Sequence, residues 1–199
     1  MKVVLATKNP HKVVEISAIC AEMGMPLQIE AAPADLPETI EDGDTLEANA
    51  AKKAQEAAEF CGCAALADDT GLEIDALGGV PGHHAARWGG VEHDHRKNIA
   101  KALSELEDVT ETERTARFRT VVALCPGPGE DCLFAEGRVE GRITQDERGE
   151  GGFGYDPIFM IVELGKTLAE LDETEKNRLS HRFRALEALA GKLSGKSSR

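Results

Sequence analysis

Asp68 and Asp69 stand side by side between the apolar run Ala64–Ala67 and the pair Thr70-Gly71. Adjacent carboxylates are poor core material, because a buried charge is costly unless it is paired or metal-bound. Oxygen ligands suit Mg²⁺, which takes one or two carboxylates along with substrate phosphates, and a carboxylate beside the metal can orient or deprotonate water. The same pair also reads as an acidic turn at a strand end. Thr7-Lys8-Asn9-Pro10-His11-Lys12 follows a short apolar run and carries a hydroxyl, an amide and two ammonium groups. At a helix start, where backbone N–H groups are free, such a set can bind phosphate. It also reads as a capped helix with two surface lysines.

Two later segments add to the inventory. Gly151-Gly152-Phe153-Gly154-Tyr155-Asp156-Pro157 places two of the few aromatic residues among glycines. Glycines let a ligand approach the backbone and a loop aromatic can stack on a nucleobase. A tight hairpin with a core Phe would look the same. Ser180-His181-Arg182 supplies donors in a stretch that also holds Lys176. On one continuous helix His181 would point away from Lys176 and Ser180. A break with Ser180 as the cap of a last helix would let Lys176, His181 and Arg182 converge; a solvated, charged helix face is the other reading. Two familiar motifs fail on context. The G-x-G-x-x-G spacing at Gly149–Gly154 precedes an apolar strand-like run rather than a helix, and Gly165-Lys166-Thr167 has Met160 where a P-loop needs glycine.

Around these residues the chain predicts an α/β fold with a mixed sheet. Lys2–Ala6 reads as a strand. Asn9 and Pro10 open a helix that runs to about Met23, and Leu27–Ala31 reads as a second strand. An acidic loop covers 33–44. Thr45 caps an alanine-rich helix that Gly62 closes, and Ala64–Ala67 is a buried strand ending at Asp68. The spacing predicts a helix over 94–106, a hairpin of 116–125 with 132–143 around Pro126-Gly127-Pro128-Gly129, and a C-terminal helix with Leu186, Leu189 and Leu193 on one face. The net charge of −13 argues against a nucleic-acid-coating protein but leaves room for a phosphate ligand held through metal ions. No stretch is long and apolar enough to span a membrane. Cys20, Cys61, Cys63, Cys125 and Cys132 fit no zinc spacing and read as structural thiols of a reducing cytoplasm.

In order along nearly the whole chain, these segments resemble the inosine triphosphatase family, the non-standard purine NTP (dITP/XTP) pyrophosphatases. Thr7 to Glu15 is similar to its T-x-N-x-x-K-x-x-E loop, Ala67 to Leu72 to A-D-D-[ST]-G-L, Gly151 to Phe159 to G-G-F-G-Y-D-P-I-F, and Ser180-His181-Arg182 to S-H-R; Leu77–Gly82 with Ala86-Arg87 fits a fifth segment. The length fits one domain over 1–193, and the polar stretch 194–199 reads as a flexible tail. The resemblance implies an elongated mixed central sheet flanked by helices, two lobes with an active-site cleft between them, and a cytoplasmic homodimer. It further implies Mg²⁺-dependent hydrolysis of ITP, dITP and XTP to the monophosphate and pyrophosphate, without nucleic-acid or membrane partners.

The site residues carried over with it are these. Thr7, Lys8, Asn9, Lys12 and Lys53 would hold the phosphates, with Thr70 beside them. Glu41, Asp68 and Asp69 would hold Mg²⁺, and Asp69 would be the general base. Phe153 would stack on the purine, flanked by Gly154 and Tyr155, while Asp156, Lys176, His181 and Arg182 would read its polar edge. Where relatives have T-x-x-E-N-A this chain has Thr45 followed by Glu47 and Ala48, which loses a capping-box Glu and leaves Glu47 beside Glu41 as a possible metal ligand. His83-His84 replaces an apolar-aromatic pair and reads as structural.

Overall fold

The structure, a computed structural model, describes residues 1–90 and 94–195. The order of elements is β1 (Lys2–Leu5), α1 (Pro10–Glu22), β2 (Gln28–Ala31), α2 (Leu46–Cys61), β3 (Ala65–Ile74), β4 (Pro81–Gly82), α3 (His95–Glu105), β5 (Thr115–Cys125), β6 (Leu133–Ile143), β7 (Phe159–Ile161), β8 (Lys166–Thr167), α4 (Glu173–Leu179) and α5 (His181–Leu193). The local signals work as expected. Asn9 is extended and its side chain accepts from the His11 N–H, with Pro10 in the first turn. Thr45 accepts from the Ala48 N–H, and Gly62, left-handed at φ 65°, ends α2. Ser180 separates α4 from α5, so the break expected there is present. After α5, Ser194 closes onto the Ala190 carbonyl; the rest of the expected tail, 196–199, lies outside the described residues.

The strands form a mixed sheet in the order β2-β1-β3-β5-β6-β7-β8, with β4 on β3. β1 pairs in parallel with β2 and with β3, while β4, β7 and β8 pair antiparallel. The chain divides into two compact units. The first comprises Met1–Asp69, Thr120–Gly137 and the chain from His181 onward; the second comprises Thr70–Arg119 and Arg138–Ser180. In the first, α1 and α5 pack over a cluster that includes Leu5, Ile16, Leu66, Leu124, Leu186 and Leu189. The alanine face of α2 (Ala50, Ala54, Ala57, Ala58) packs with Ala65, Val121 and Cys125. Small side chains let this helix lie close to the sheet. In the second, Leu72, Ile74, Phe118, Ile143, Ile158 and Phe159 form a separate core.

One close approach sets the placement of α5. A Cβ at Gly137 of β6 would collide with the Ala185 N–H and the His181 carbonyl, so strand and helix meet backbone to backbone.

Two expectations are corrected. Asp68 and Asp69 do not end a short strand; β3 runs unbroken through them to Ile74. Lys12 and Arg182 meet Asp68, Lys53 and Asn49 meet Asp69, and a charged pair so matched becomes tolerable in mid-strand. The cysteines are not all free. Cys125 and Cys132 close the β5–β6 turn as a disulfide, their Cα atoms 4.1 Å apart, while Cys20, Cys61 and Cys63 are thiols. Burial pushes the Cys20 thiol up to about 11. Native alkylation at pH 8 without reductant should therefore label Cys61 and Cys63 alone. Reductant should add the half-buried Cys132, and Cys20 should need denaturant; peptide mass mapping checks this.

Candidate active site

The expected residues fall into two groups, one in each unit. In the first unit the strand-to-helix turn after β1 is self-organised. The Thr7 hydroxyl accepts from the Asn9 N–H at 3.1 Å, and Asn9 Oδ1 accepts from the His11 N–H at 2.9 Å. Lys8 is exposed. Lys12, one turn into α1, points its ammonium at Asp68, 3.1 Å from Oδ2. The same oxygen accepts from Arg182 Nε at 3.2 Å, and Arg182 Nη1 binds Glu15. Arg182 is 1% exposed, Asp68 3% and Glu15 8%, so this is a chain of buried charges: Lys12, Asp68, Arg182, Glu15. Arg182 was expected to read a ligand; the structure shows that two of its donors serve carboxylates of its own unit. His181 precedes it in the first turn of α5, 6% exposed.

At the next residue of β3, Lys53 Nζ lies 3.0 Å from Asp69 Oδ1 and 2.7 Å from Glu41 Oε1. Asn49 donates to Asp69 Oδ2 at 3.2 Å. Glu41 and Asp69 thus converge on one positive charge. Glu47 sits in the first turn of α2. Among the described residues no group of three or more His, Cys, Asp or Glu side chains forms a ready metal cage.

The titration directions follow from these neighbourhoods. Burial opposes ionisation of Asp68, yet Lys12 and Arg182 outweigh it and hold the carboxyl well below the usual range. Asp69 goes the other way: burial and the nearby Glu41 charge raise it, although Lys53 pulls it down. Burial lowers Lys53, but Asp69, Glu41 and Asp68 outweigh it, so it is raised. The partners Lys53 and Asp69 therefore do not shift as a simple ion pair would. One ammonium is shared by two carboxylates, so the lysine gains from both while Asp69 is repelled by Glu41. Lys12 is lowered, chiefly by burial and then by Lys53 and Arg182, with Asp68 opposing. It is a desolvated ammonium, and Asp69 opposes the drop as well.

In the second unit the glycine loop is organised by Asp156, which is 4% exposed. Its Oδ2 accepts from the Phe153 N–H at 2.8 Å and from Lys176 Nζ at 2.7 Å. Gly152, at φ 74°, admits no Cβ because Asp156 fills that space. Gly154 is left-handed as well, at φ 67°. Lys176 Nζ stands 4.9 Å over the Phe153 ring, a cation–π contact, and the His95 ring lies 6.4 Å from it. Thr70 continues β3 directly after Asp69 and is half-buried. Tyr155, expected beside the ligand, is turned into the core. Its ring packs in the second unit's cluster and its hydroxyl donates to the Ala85 carbonyl at 2.9 Å. Buried phenols take a hydrogen bond in this way. His83 and His84 pack ring against ring, 3.9 Å apart, with Arg87 at 3.0 Å from His84 Nδ1.

Sequence reasoning passed over Asn49 and the role of Glu15. Both carried a signal. Asn49 is a poor helix former inside an alanine-rich helix, four residues before Lys53 and on the same face. Glu15 lies three residues after Lys12 on a helix face that is otherwise apolar.

Residues 3–192 match the Ham1 family. The dITP/XTP pyrophosphatase of Shouchella clausii is 47% identical over 194 residues, covering 98% of this chain and 97% of that protein. The dITP/XTP pyrophosphatase of Geobacter sulfurreducens is 49% identical over 191 residues, covering 94% of each. Among solved structures, a HAM1 protein from Coxiella burnetii superposes with a TM-score of 0.88 at 37% identity, covering 98% of this chain and 99% of that one. The Staphylococcus aureus Ham1 protein gives 0.85 at 34%, covering 99% and 100%.

Proposed function

The chain belongs to the Ham1 family, and from that premise we infer that it is a nucleoside-triphosphate pyrophosphatase. It hydrolyses non-canonical purine nucleoside triphosphates to the monophosphate and pyrophosphate. The observation that carries the reading is the pair of carboxylates on β3, Asp68 held by Lys12 and Asp69 by Lys53, at the mouth of a helix start rich in donors.

In this reading Thr7, Lys8, Asn9, Lys12 and Lys53 bind the phosphates, with Thr70 next to Asp69. The ammonium groups of Lys12 and Lys53 and the positive end of α1 favour an anion. Asp69 acts as general base: a water oxygen bonds to the α-phosphorus, Asp69 takes the water proton, and the bond to the bridging oxygen breaks as pyrophosphate leaves. Its carboxyl is displaced upward, the direction a base working near neutral pH needs. The convergence of Glu41 and Asp69 on one ammonium is an arrangement of hard oxygen donors that fits a divalent cation. Glu41, Asp69 and Asp68 would hold Mg²⁺, which supplies charge neutralisation on phosphate oxygens. Arg182 serves by tying Asp68 to Glu15.

For the base, Phe153 offers a stacking face within the Gly152–Gly154 loop, and Asp156 places it together with Lys176. An ammonium has three N–H groups and Asp156 accepts from one, so Lys176 has donors for a 6-oxo group, with His181 a further reader. Adenine presents a donor there instead, and a site built on buried donors can discriminate by about 10⁴-fold. We further propose a homodimer working in the cytoplasm. Among the described residues no helix is long and apolar enough to cross a membrane.

Pyrophosphate release from ITP, XTP, GTP and ATP, each with Mg²⁺ and with EDTA, tests the reading. Fast, metal-dependent release from ITP and XTP with little from ATP is expected. Equal release from all four would remove the base-reading roles of Lys176 and His181, and none from any would remove the activity.

A further inference from the structure

Asp69 is not held by Lys53 alone. Asn49 is fully buried in α2, and both ends of its amide are engaged. Nδ2 donates to Asp69 at 3.2 Å, and Oδ1 accepts from the Gly43 N–H at 2.9 Å. Gly43 lies two residues beyond Glu41, in a stretch over 32–45 that has neither helix nor strand. One polar stripe of α2 holds this strap. Asn49, Lys52, Lys53 and Glu56, at i, i+3, i+4 and i+7, meet Gly43, Asp42 with the Ile40 carbonyl, Glu41 and Thr39 in turn. A Cβ on Gly43 would stand 2.7 Å from Asn49 Oδ1 and 2.8 Å from the Ala48 Cβ, so the strap lies against the helix by its backbone here. Within the stripe, Asn49 and Lys53 also reach Asp69. Lys53 is a charge with a proposed task at the phosphates, whereas Asn49 is neutral and hydrogen-bonded on both sides.

We propose that Asn49 is a positioning residue that holds the Asp69 carboxylate and the strap carrying Glu41 in one fixed relation. The inference rests on the role given above to Asp69. Three variants separate its parts. Asn49→Asp keeps an acceptor for the Gly43 N–H but loses the donor to Asp69. Asn49→Ser, small enough to admit water in place of the amide, loses both. Lys52→Ala removes a strap contact that does not touch Asp69. With ITP, both Asn49 variants should lose about 100-fold in kcat while KM stays within about threefold, the scale expected for a displaced reacting group. Lys52→Ala should stay within about twofold on both. Calorimetric titration of the nucleotide-free proteins with Mg²⁺ should show affinity about tenfold weaker in Asn49→Ser, as loss of an outer-shell partner typically does, and unchanged in Lys52→Ala. Thermal melts identify a variant that has failed to fold, and Asn49→Ser is the milder of the two. Parent-like kcat in a folded Asn49 variant, a loss confined to KM, or unchanged Mg²⁺ affinity would overturn the inference. A parent inactive on every triphosphate would instead overturn the proposed function, and the Mg²⁺ titration would still decide whether Asn49 couples the two carboxylates.

Discussion

Replacing Asp69 with Asn is expected to lower turnover by about 10²–10⁴-fold, the range that a positioned proton acceptor contributes, without weakening the fold. The two halves of this result have one cause. Asp69 is buried beside Glu41 and shares a single ammonium with it, so its carboxyl is held above the usual range. For a group whose folded pKa is raised, the favourable contribution is present below the unfolded value and is lost as pH rises through the folded one. At neutral pH the ionised Asp69 is therefore a net cost to stability, retained for chemistry. The Asn variant should unfold at the same or a higher temperature than the parent at pH 7, and its advantage should shrink as the pH falls toward 4. Pyrophosphate release and thermal unfolding on the two proteins at both pH values make the check. Near-parent turnover would remove Asp69 from the reaction.

Removing Arg182 should have the largest effect on the fold. The guanidinium is fully buried between Asp68 and Glu15, so Arg182→Met strands Glu15 in the core of the first unit and leaves Asp68 to Lys12 alone. Breaking a buried pair in this way costs about 3–5 kcal/mol. The pH dependence should change with it. In the parent, Asp68 is held below the usual carboxylate range by Lys12 and Arg182, so its contribution is present above the unfolded value and survives until pH falls through the depressed folded one. Without Arg182 that reserve is lost and acid unfolding should begin at higher pH. The double variant Glu15→Gln, Arg182→Met removes that ion pair whole, leaves Asp68 with Lys12, and should recover much of the loss, because neutral replacement of a buried pair is far less costly than leaving one partner alone. Guanidinium unfolding of the single and double variants decides it; equal instability of both would mean that shape rather than charge holds this part of the core.

How legible this was depended on the range of the interaction. Caps and breaks are local, so Asn9, Thr45, Gly62 and Ser180 could be read directly and their helices begin or end where expected. The order of strands within the sheet was beyond reach. The course of β3 through Asp68 and Asp69 was misjudged because local charge density looks like a turn. What stabilises the strand is the arrival of Lys12, Lys53 and Arg182 from three separate helices. The direction of the Tyr155 ring was out of reach for a related reason: an aromatic among glycines has the same pattern whether its ring faces solvent or core, and its hydroxyl finds its partner at the distant Ala85 carbonyl. The Cys125–Cys132 bond depended on the hairpin bringing its two ends together.

The contact at Gly137 bears on how changes in this chain should be interpreted. A glycine-to-alanine change in the middle of a strand, far in sequence from every candidate site residue, would ordinarily be scored as mild. Here a single methyl would push against the first turn of α5, the turn that delivers His181 and Arg182. An allele at position 137 could thus resemble a lesion of the site itself while leaving every chemically active side chain intact.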